Sequence, residues 1–127
     1  MKESTTSESN QEPLELAIEA AQDKKALDVV VLDLEGLCSF SDFFLICSGT
    51  SAPQTKAISD GVDVHLRRSG LRPSHVEGYS EGEWILMDYM DFVVHIFTVR
   101  GREFYDLERL WRGGKRRQVA EPAHREA

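Results

Sequence analysis

Cysteine is scarce in this 127-residue chain: Cys38 and Cys47 are the two it has, and they form no C-x-x-C pair. A disulfide framework or thiolate zinc site is therefore not expected, and both are read as buried reduced thiols. No apolar run approaches the roughly 18 to 20 residues that cross a bilayer. The opening MKESTTSESNQEP also lacks the apolar core of a signal peptide, so a cytoplasmic protein without membrane attachment is expected. There is no internal repeat, no Walker-type glycine loop and no G-x-S-x-G elbow, since Ser39 and Ser41 merely flank Phe40. The four histidines, His65, His75, His95 and His124, show no ligand pair at i, i+4, and His95 reads as a satisfied histidine within a sheet.

What is present suits one small domain, because 41% hydrophobic content over this length supplies one core and not comfortably two. Residues 1–12 read as a disordered tail, 13–111 as the domain, and 112–127 as a basic, disordered end. Pro13 opens a helix to about Ala26 with Leu14, Ala17, Ile18 and Ala21 on its apolar stripe. Asp28 to Leu34 is a central strand, its V-V-V-L run being apolar throughout and β-branched at the three valines. After a turn at Glu35-Gly36-Leu37-Cys38, Phe43 to Ser48 returns as a second strand. A helix follows from about Pro53 to Arg68, with Ala57, Ile58, Val62 and Leu66 on one face and Gly70 as its stop. Gly61 inside it implies either close packing or a weak point. A last short helix spans about Phe104 to Trp111. The class predicted is α+β: a mixed sheet with helices packed against it.

Charge is uneven. Residues 13–111 carry nine Lys/Arg against seventeen Asp/Glu, whereas 112–127 carry five against two. An acidic body is poorly suited to phosphate backbones and well suited to a basic protein embedded in RNA. The basic end, Arg112-Gly113-Gly114-Lys115-Arg116-Arg117, is read as solvated, with a minor contact to nearby RNA as the alternative.

Most of the aromatic residues fall between Val76 and Trp111, interleaved with acidic ones. Trp84 to Tyr89 and Phe92 to Val99 read as strands joined by the short turn Tyr89-Met90-Asp91, an antiparallel hairpin. Because strand side chains alternate, Trp84, Leu86 and Asp88 share one face while Ile85, Met87 and Tyr89 share the other. Both faces are apolar, and which one is open is not decided at this level.

These residues carry a resemblance to the ribosomal silencing factors, also called the Iojap proteins. The matching pieces are L-D-V-V-V-L-D-L ending at Leu34, D-F-F-L-I-C-S-G-T-S from Asp42 to Ser51, V-E-G from Val76, W-I-L-M-D from Trp84, V-V-H-I-F from Val93, and Y-D-L-E-R-L-W from Tyr105 to Trp111. The resemblance spans roughly Leu14 to Trp111. It implies a reduced nucleotidyltransferase-like fold without chemistry. It further implies binding to the large ribosomal subunit through its protein fourteen at the inter-subunit face, sterically blocking the small subunit and lowering translation. Carried over to this chain, Trp84 and Leu86 are the apolar anchors, and Glu77, Asp88 and Asp91 meet basic groups at the rim. Met87 and Tyr89 form the alternative set, while Tyr105, Glu108 and Trp111 match the closing motif, with helix-on-sheet packing accounting for Tyr105 and Trp111 as well as binding does. Self-association as a homodimer through the aromatic surface is a further implication.

The fold likeness raises an enzyme reading. A transferase needs a Gly-Ser turn at a helix start and closely spaced carboxylates for a metal. Gly49-Thr50-Ser51 has the form of the first element, but Asp88 and Asp91 lie three apart across a tight turn, and Asp33 and Glu35 precede the glycine turn. No enzyme activity, cofactor or metal is expected. Nucleotide or phosphate binding at Thr50 and Ser51 stands as the competing reading against simple helix capping.

Overall fold

The computed structural model describes residues 11–122. In chain order the elements are α1 (Gln11–Asp23), β1 (Leu27–Asp33), β2 (Phe43–Gly49), α2 (Ala52–Arg67), β3 (His75–Glu77), β4 (Trp84–Asp88), β5 (Phe92–Thr98), α3 (Val99–Tyr105), α4 (Leu107–Leu110) and β6 (Lys115–Gln118). The six strands form one mixed sheet in the order β3-β4-β5-β2-β1-β6. The central β2 and β5 run parallel, from Phe43↔Phe92 to Gly49↔Thr98, and the remaining neighbours are antiparallel. The α+β class expected from the sequence is the class observed.

The alternation of side chains divides the core in two. On one face Val29, Val31, Leu45, Cys47, Ile85, Met87, Val94 and Ile96 pack under the stripes of α1 and α2. On the other, Val30, Leu32, Leu34, Phe44, Ile46, Val93 and Phe97 pack with Leu107, Trp111, Cys38 and the hairpin side chains Trp84 and Leu86. Burying β2 and β5 from both sides explains their near-continuous apolar runs. The α1 stripe of Leu14, Ala17, Ile18 and Ala21 is buried as its spacing dictates. In α2 the buried set is Thr55, Ile58, Ser59, Val62 and Leu66. Gly61 is a close-packing position, because a Cβ there would stand 3.0 Å from Cγ of Lys24, in the turn after α1.

Two expectations are corrected. The segment after Trp111 was expected as a disordered end, yet Lys115–Gln118 pairs antiparallel with β1, from Asp33↔Lys115 to Val30↔Gln118. Its hydrophobicity is too low to signal a strand; it is held by backbone bonds to β1 and by two ion pairs, Arg116 to Glu108 at 3.4 Å and Arg117 to Glu15 at 3.5 Å, on opposite faces. The closing helix is also two helices: Thr98 caps α3 by accepting from Gly101 N, and Asp106 ends it with φ 49 in the left-handed region. As for the first twelve residues, Gln11 and Glu12 already belong to α1, and residues 1–10 lie outside the described residues.

The hairpin turn stores local strain. Asp91 N–H donates to Tyr89 O at 2.9 Å across Met90, whose φ is 76, the marks of a classic γ-turn. Asp88 Oδ1 steadies it by accepting from Met90 N at 2.8 Å. Met90 is 66% exposed, so its side chain contributes little to the core. Met90→Gly should therefore raise stability by up to about 1 kcal/mol, strain relief exceeding the entropy glycine adds to the unfolded chain. Chemical denaturation with an unchanged m-value is the check.

Candidate functional site

The covering helices decide which face of the β4–β5 hairpin is available. Ile85, Met87 and Tyr89 are 0%, 1% and 6% exposed, lying in the core beneath the helical layer. Met87 and Tyr89 are thus not a docking surface, which corrects the alternative set: α2 roofs them, with Ser59 Oγ 3.4 Å from Met87 Sδ. Burial pushes the Tyr89 hydroxyl well above its ordinary pKa. Trp84, Leu86 and Asp88 face the other way and remain half-exposed, because the short α3 and α4 cover that side only in part.

Trp84 sits at the centre of an aromatic series. Its ring stacks on buried Phe97 at 5.0 Å and lies 4.8 Å from the Tyr105 ring. Its indole Nε1–H donates to His95 Nδ1 at 3.1 Å. That bond assigns the neutral imidazole proton to Nε2, which is buried and meets no partner among the described residues. The sequence reading of a satisfied histidine therefore holds for one nitrogen. Burial lowers the His95 pKa to about 3, so the ring stays neutral. Trp84 is accordingly both surface and packing, and removing it takes contacts from the second core as well as from the face.

The acidic rim is arranged around this face. On β3, Glu77 is opposite Leu86 and His75 opposite Asp88, which places both β3 side chains on the Trp84 side. Glu77 and His75 meet at 2.6 Å, both well exposed. Asp91 is exposed at the hairpin tip, and its carbonyl accepts from Asp42 N, Phe43 N and Ser41 Oγ, tying the tip to the start of β2. The loop from Gly78 to Glu83 is pinned to α2: Tyr79 O–H donates to the Asp60 carboxylate, and Thr55 Oγ donates to Gly82 O.

Of the closing motif, Glu108 has a different duty from that expected, and Trp111 takes the packing role. Glu108, carried over as a docking residue, is committed internally: both its oxygens receive the Arg102 guanidinium at 3.1 Å, and Arg116 adds a second cation. The Arg102 hydrogen bonds hold its carboxyl below the usual range against the opposing effect of burial. Trp111 packs edge-on against Phe44 at 5.7 Å and closes the second core. Tyr105 is 41% exposed beside Trp84 and stays on the face. Phe104, the start of the closing helix expected from the sequence, is 79% exposed next to it.

At Gly49-Thr50-Ser51 the arrangement is that of a cap. Ser51 Oγ accepts from Gln54 N, and the Gln54 side-chain oxygen takes both the Thr50 N–H and the Thr50 hydroxyl at 2.7 Å. Gln54 Nε2 then reaches the Lys24 and Lys25 carbonyls. The Thr50 N–H and hydroxyl and the Gln54 N–H are thus engaged within the cap, and the adjacent depression is lined by Glu81 and Glu83 against Arg100.

The family model described as ribosomal silencing factor during starvation matches residues 7–127. The chain is 44% identical over 103 residues to the ribosomal silencing factor of Halalkalibacterium halodurans, covering 81% of this chain and 88% of that protein. It is 40% identical over 98 residues to that of Bacillus subtilis, covering 77% and 83%. Among solved structures, a crystal structure of a Chromobacterium violaceum protein is similar at a TM-score of 0.78 and 38% identity, covering 90% of this chain and 94% of that one.

The buried neutral His95 implies an acid liability. Between its unfolded value near 6.5 and about 3, the unfolded chain binds a proton that the folded one refuses, so stability falls as pH drops through that window. The slope from this group approaches about 1.4 kcal/mol per pH unit. In His95→Leu that part of the slope should vanish, read from denaturation midpoints of both proteins at pH 4.5 and 7.

Proposed function

This chain belongs to the ribosomal silencing factors, a family that regulates translation in association with the ribosome, and we propose that it does so by steric occupation rather than by chemistry. In this reading it binds the large subunit through protein fourteen at the inter-subunit face and keeps the small subunit from joining. The supporting observation is the unequal cover of the sheet. One face is roofed by α1 and α2, while the other leaves Trp84, Leu86 and Tyr105 partly open within an acidic rim of Glu77, Asp88 and Asp91.

An aromatic and aliphatic centre ringed by charge is the anatomy of an interface hot spot, and negative charge at the rim steers the face toward a basic protein. A domain of about 100 residues has a radius of gyration near 13 Å on compact-domain scaling. Occupying that volume on the joining face is sufficient to exclude the small subunit, so inhibition should follow occupancy and weaken when small subunits are in excess or already joined. The basic strand β6 lies at the opposite edge, five strand positions from β3, or about 24 Å. With the acidic edge on protein, Lys115, Arg116 and Arg117 are placed for a minor contact with ribosomal RNA. The site of action is the cytoplasm. A homodimer through the same face would compete with docking.

Co-sedimentation with separated small subunits, large subunits and joined ribosomes tests the reading, with sizing across concentration to register any dimer. The protein should pellet with large subunits alone. Leu86→Ala, which leaves the Trp84 stack in place, should weaken that binding about tenfold. A folded Leu86→Ala variant that pellets like the unmodified protein would remove this face from the interface.

A further inference from the structure

The start of β4 and the start of α3 are pressed together. Thr98 N–H donates to Glu83 O at 3.0 Å. Gly101 is buried so closely beneath Glu83 that a Cβ there would stand 2.9 Å from its carbonyl oxygen and 3.1 Å from its Cγ. The absence of a side chain at Gly101 thus lets the Glu83 arm lie against α3. One turn further on, Glu103 and Phe104 project from the same helix. Glu83, Arg100, Glu103, Phe104 and Tyr105 together line a surface depression.

Phe104 is difficult to explain by the fold. It is 79% exposed, and its ring meets Tyr105 edge-on at 5.0 Å and 86°. Tyr105 in turn lies 4.8 Å from Trp84, and Trp84 stacks on Phe97, so an aromatic series runs from the core to open solvent and ends at Phe104. Two carboxylates against one guanidinium leave the depression with a formal charge of minus one. Aromatic faces carry negative electrostatic potential and attract cations, more strongly where carboxylates flank the ring. A planar guanidinium satisfies both features at once, lying over a ring while its N–H groups donate to carboxylate oxygens.

We infer that this notch is the receptor for a cationic side chain, an arginine by preference, presented by the basic ribosomal protein that docks on the Trp84 face. The inference rests on the docking reading above and deepens it. The apolar centre at Trp84 and Leu86 supplies burial, whereas the notch, continuous with it through Tyr105, reads charge and so contributes selectivity for the partner.

Binding of the full chain to purified large subunits, measured at several salt concentrations, tests it with Phe104→Ala, Phe104→Leu, Phe104→Trp and Glu103→Gln. Both positions are exposed, so thermal midpoints should match the unmodified protein. Phe104→Ala and Phe104→Leu should each weaken binding about fivefold, while Phe104→Trp retains it, because leucine replaces the apolar area but not the π face. Glu103→Gln should weaken binding and flatten its salt dependence. Wild-type affinity in Phe104→Leu, or an unchanged salt dependence in Glu103→Gln, overturns the cation site. Loss of binding on Leu86→Ala with no change in any notch variant rejects the notch alone. Failure of the unmodified protein to bind large subunits rejects the docking reading and the notch with it.

Discussion

The Arg102 guanidinium ties the two short helices to β1 and β2, which are distant from them in sequence. It donates to the Asp28 carbonyl at 2.7 Å and to Ser48 Oγ at 3.0 Å, and it grips both oxygens of Glu108. Asp28 is itself in a left-handed conformation, φ 47, at the irregular start of β1, so the contact closes a bulge as well as an ion pair. The Arg102 side chain is 13% exposed, and a charge so covered persists only when its donors are engaged. Through Glu108 it sets where α4 lies, and through α4 it places Leu107 and Trp111 over the second face of the sheet. Removing either partner leaves the other charge half-buried and α4 without its fastening.

That placement has a functional consequence. The first face is sealed by two long helices, and the second by two short ones, one of only four residues. Such a roof covers Phe44, Phe97 and Leu32 but leaves Trp84, which Tyr105 touches from one side, and Leu86 on β4 only partly covered. The half-open patch therefore arises from the length of the covering helices rather than from any surplus of apolar residues. His95 holds the Trp84 indole in place from beneath, which fixes a partly exposed aromatic in one orientation and would lower the entropic cost of the proposed docking.

Much of the architecture can be recognised in the linear pattern. The V-V-V-L run of β1, the stripe of α1, the cap at Ser51 and the W-I-L-M-D to V-V-H-I-F hairpin each carry a local period or a turn signal, and each appears where that signal places it. The strand β6 could not be recognised in this way. K-R-R-Q has neither alternation nor β-branched residues, and it becomes a strand because β1 offers an unpaired edge and because Glu15 and Glu108 stand on either side of it. The break at Asp106 was equally hidden, since a left-handed aspartate looks like any helical one in sequence. Glu108 shows the same limit at the site: an exposed-looking acidic residue in a family motif proves to be an internal ligand of Arg102.

The sequence by itself determined the class of the fold, the alternation that sorts Trp84, Leu86 and Asp88 from Ile85, Met87 and Tyr89, and the acidic character of the surface, because each depends on local periodicity or simple composition. Only the tertiary structure decided which of those two sets is open, that Glu108 serves the fold, and that Phe104 stands in solvent beside Glu83 and Glu103. The physical reason is that a strand's two faces are equivalent until something packs on one of them. Which one is covered depends on helices and a guanidinium contributed from elsewhere in the chain, a long-range matter on which no local pattern carries information.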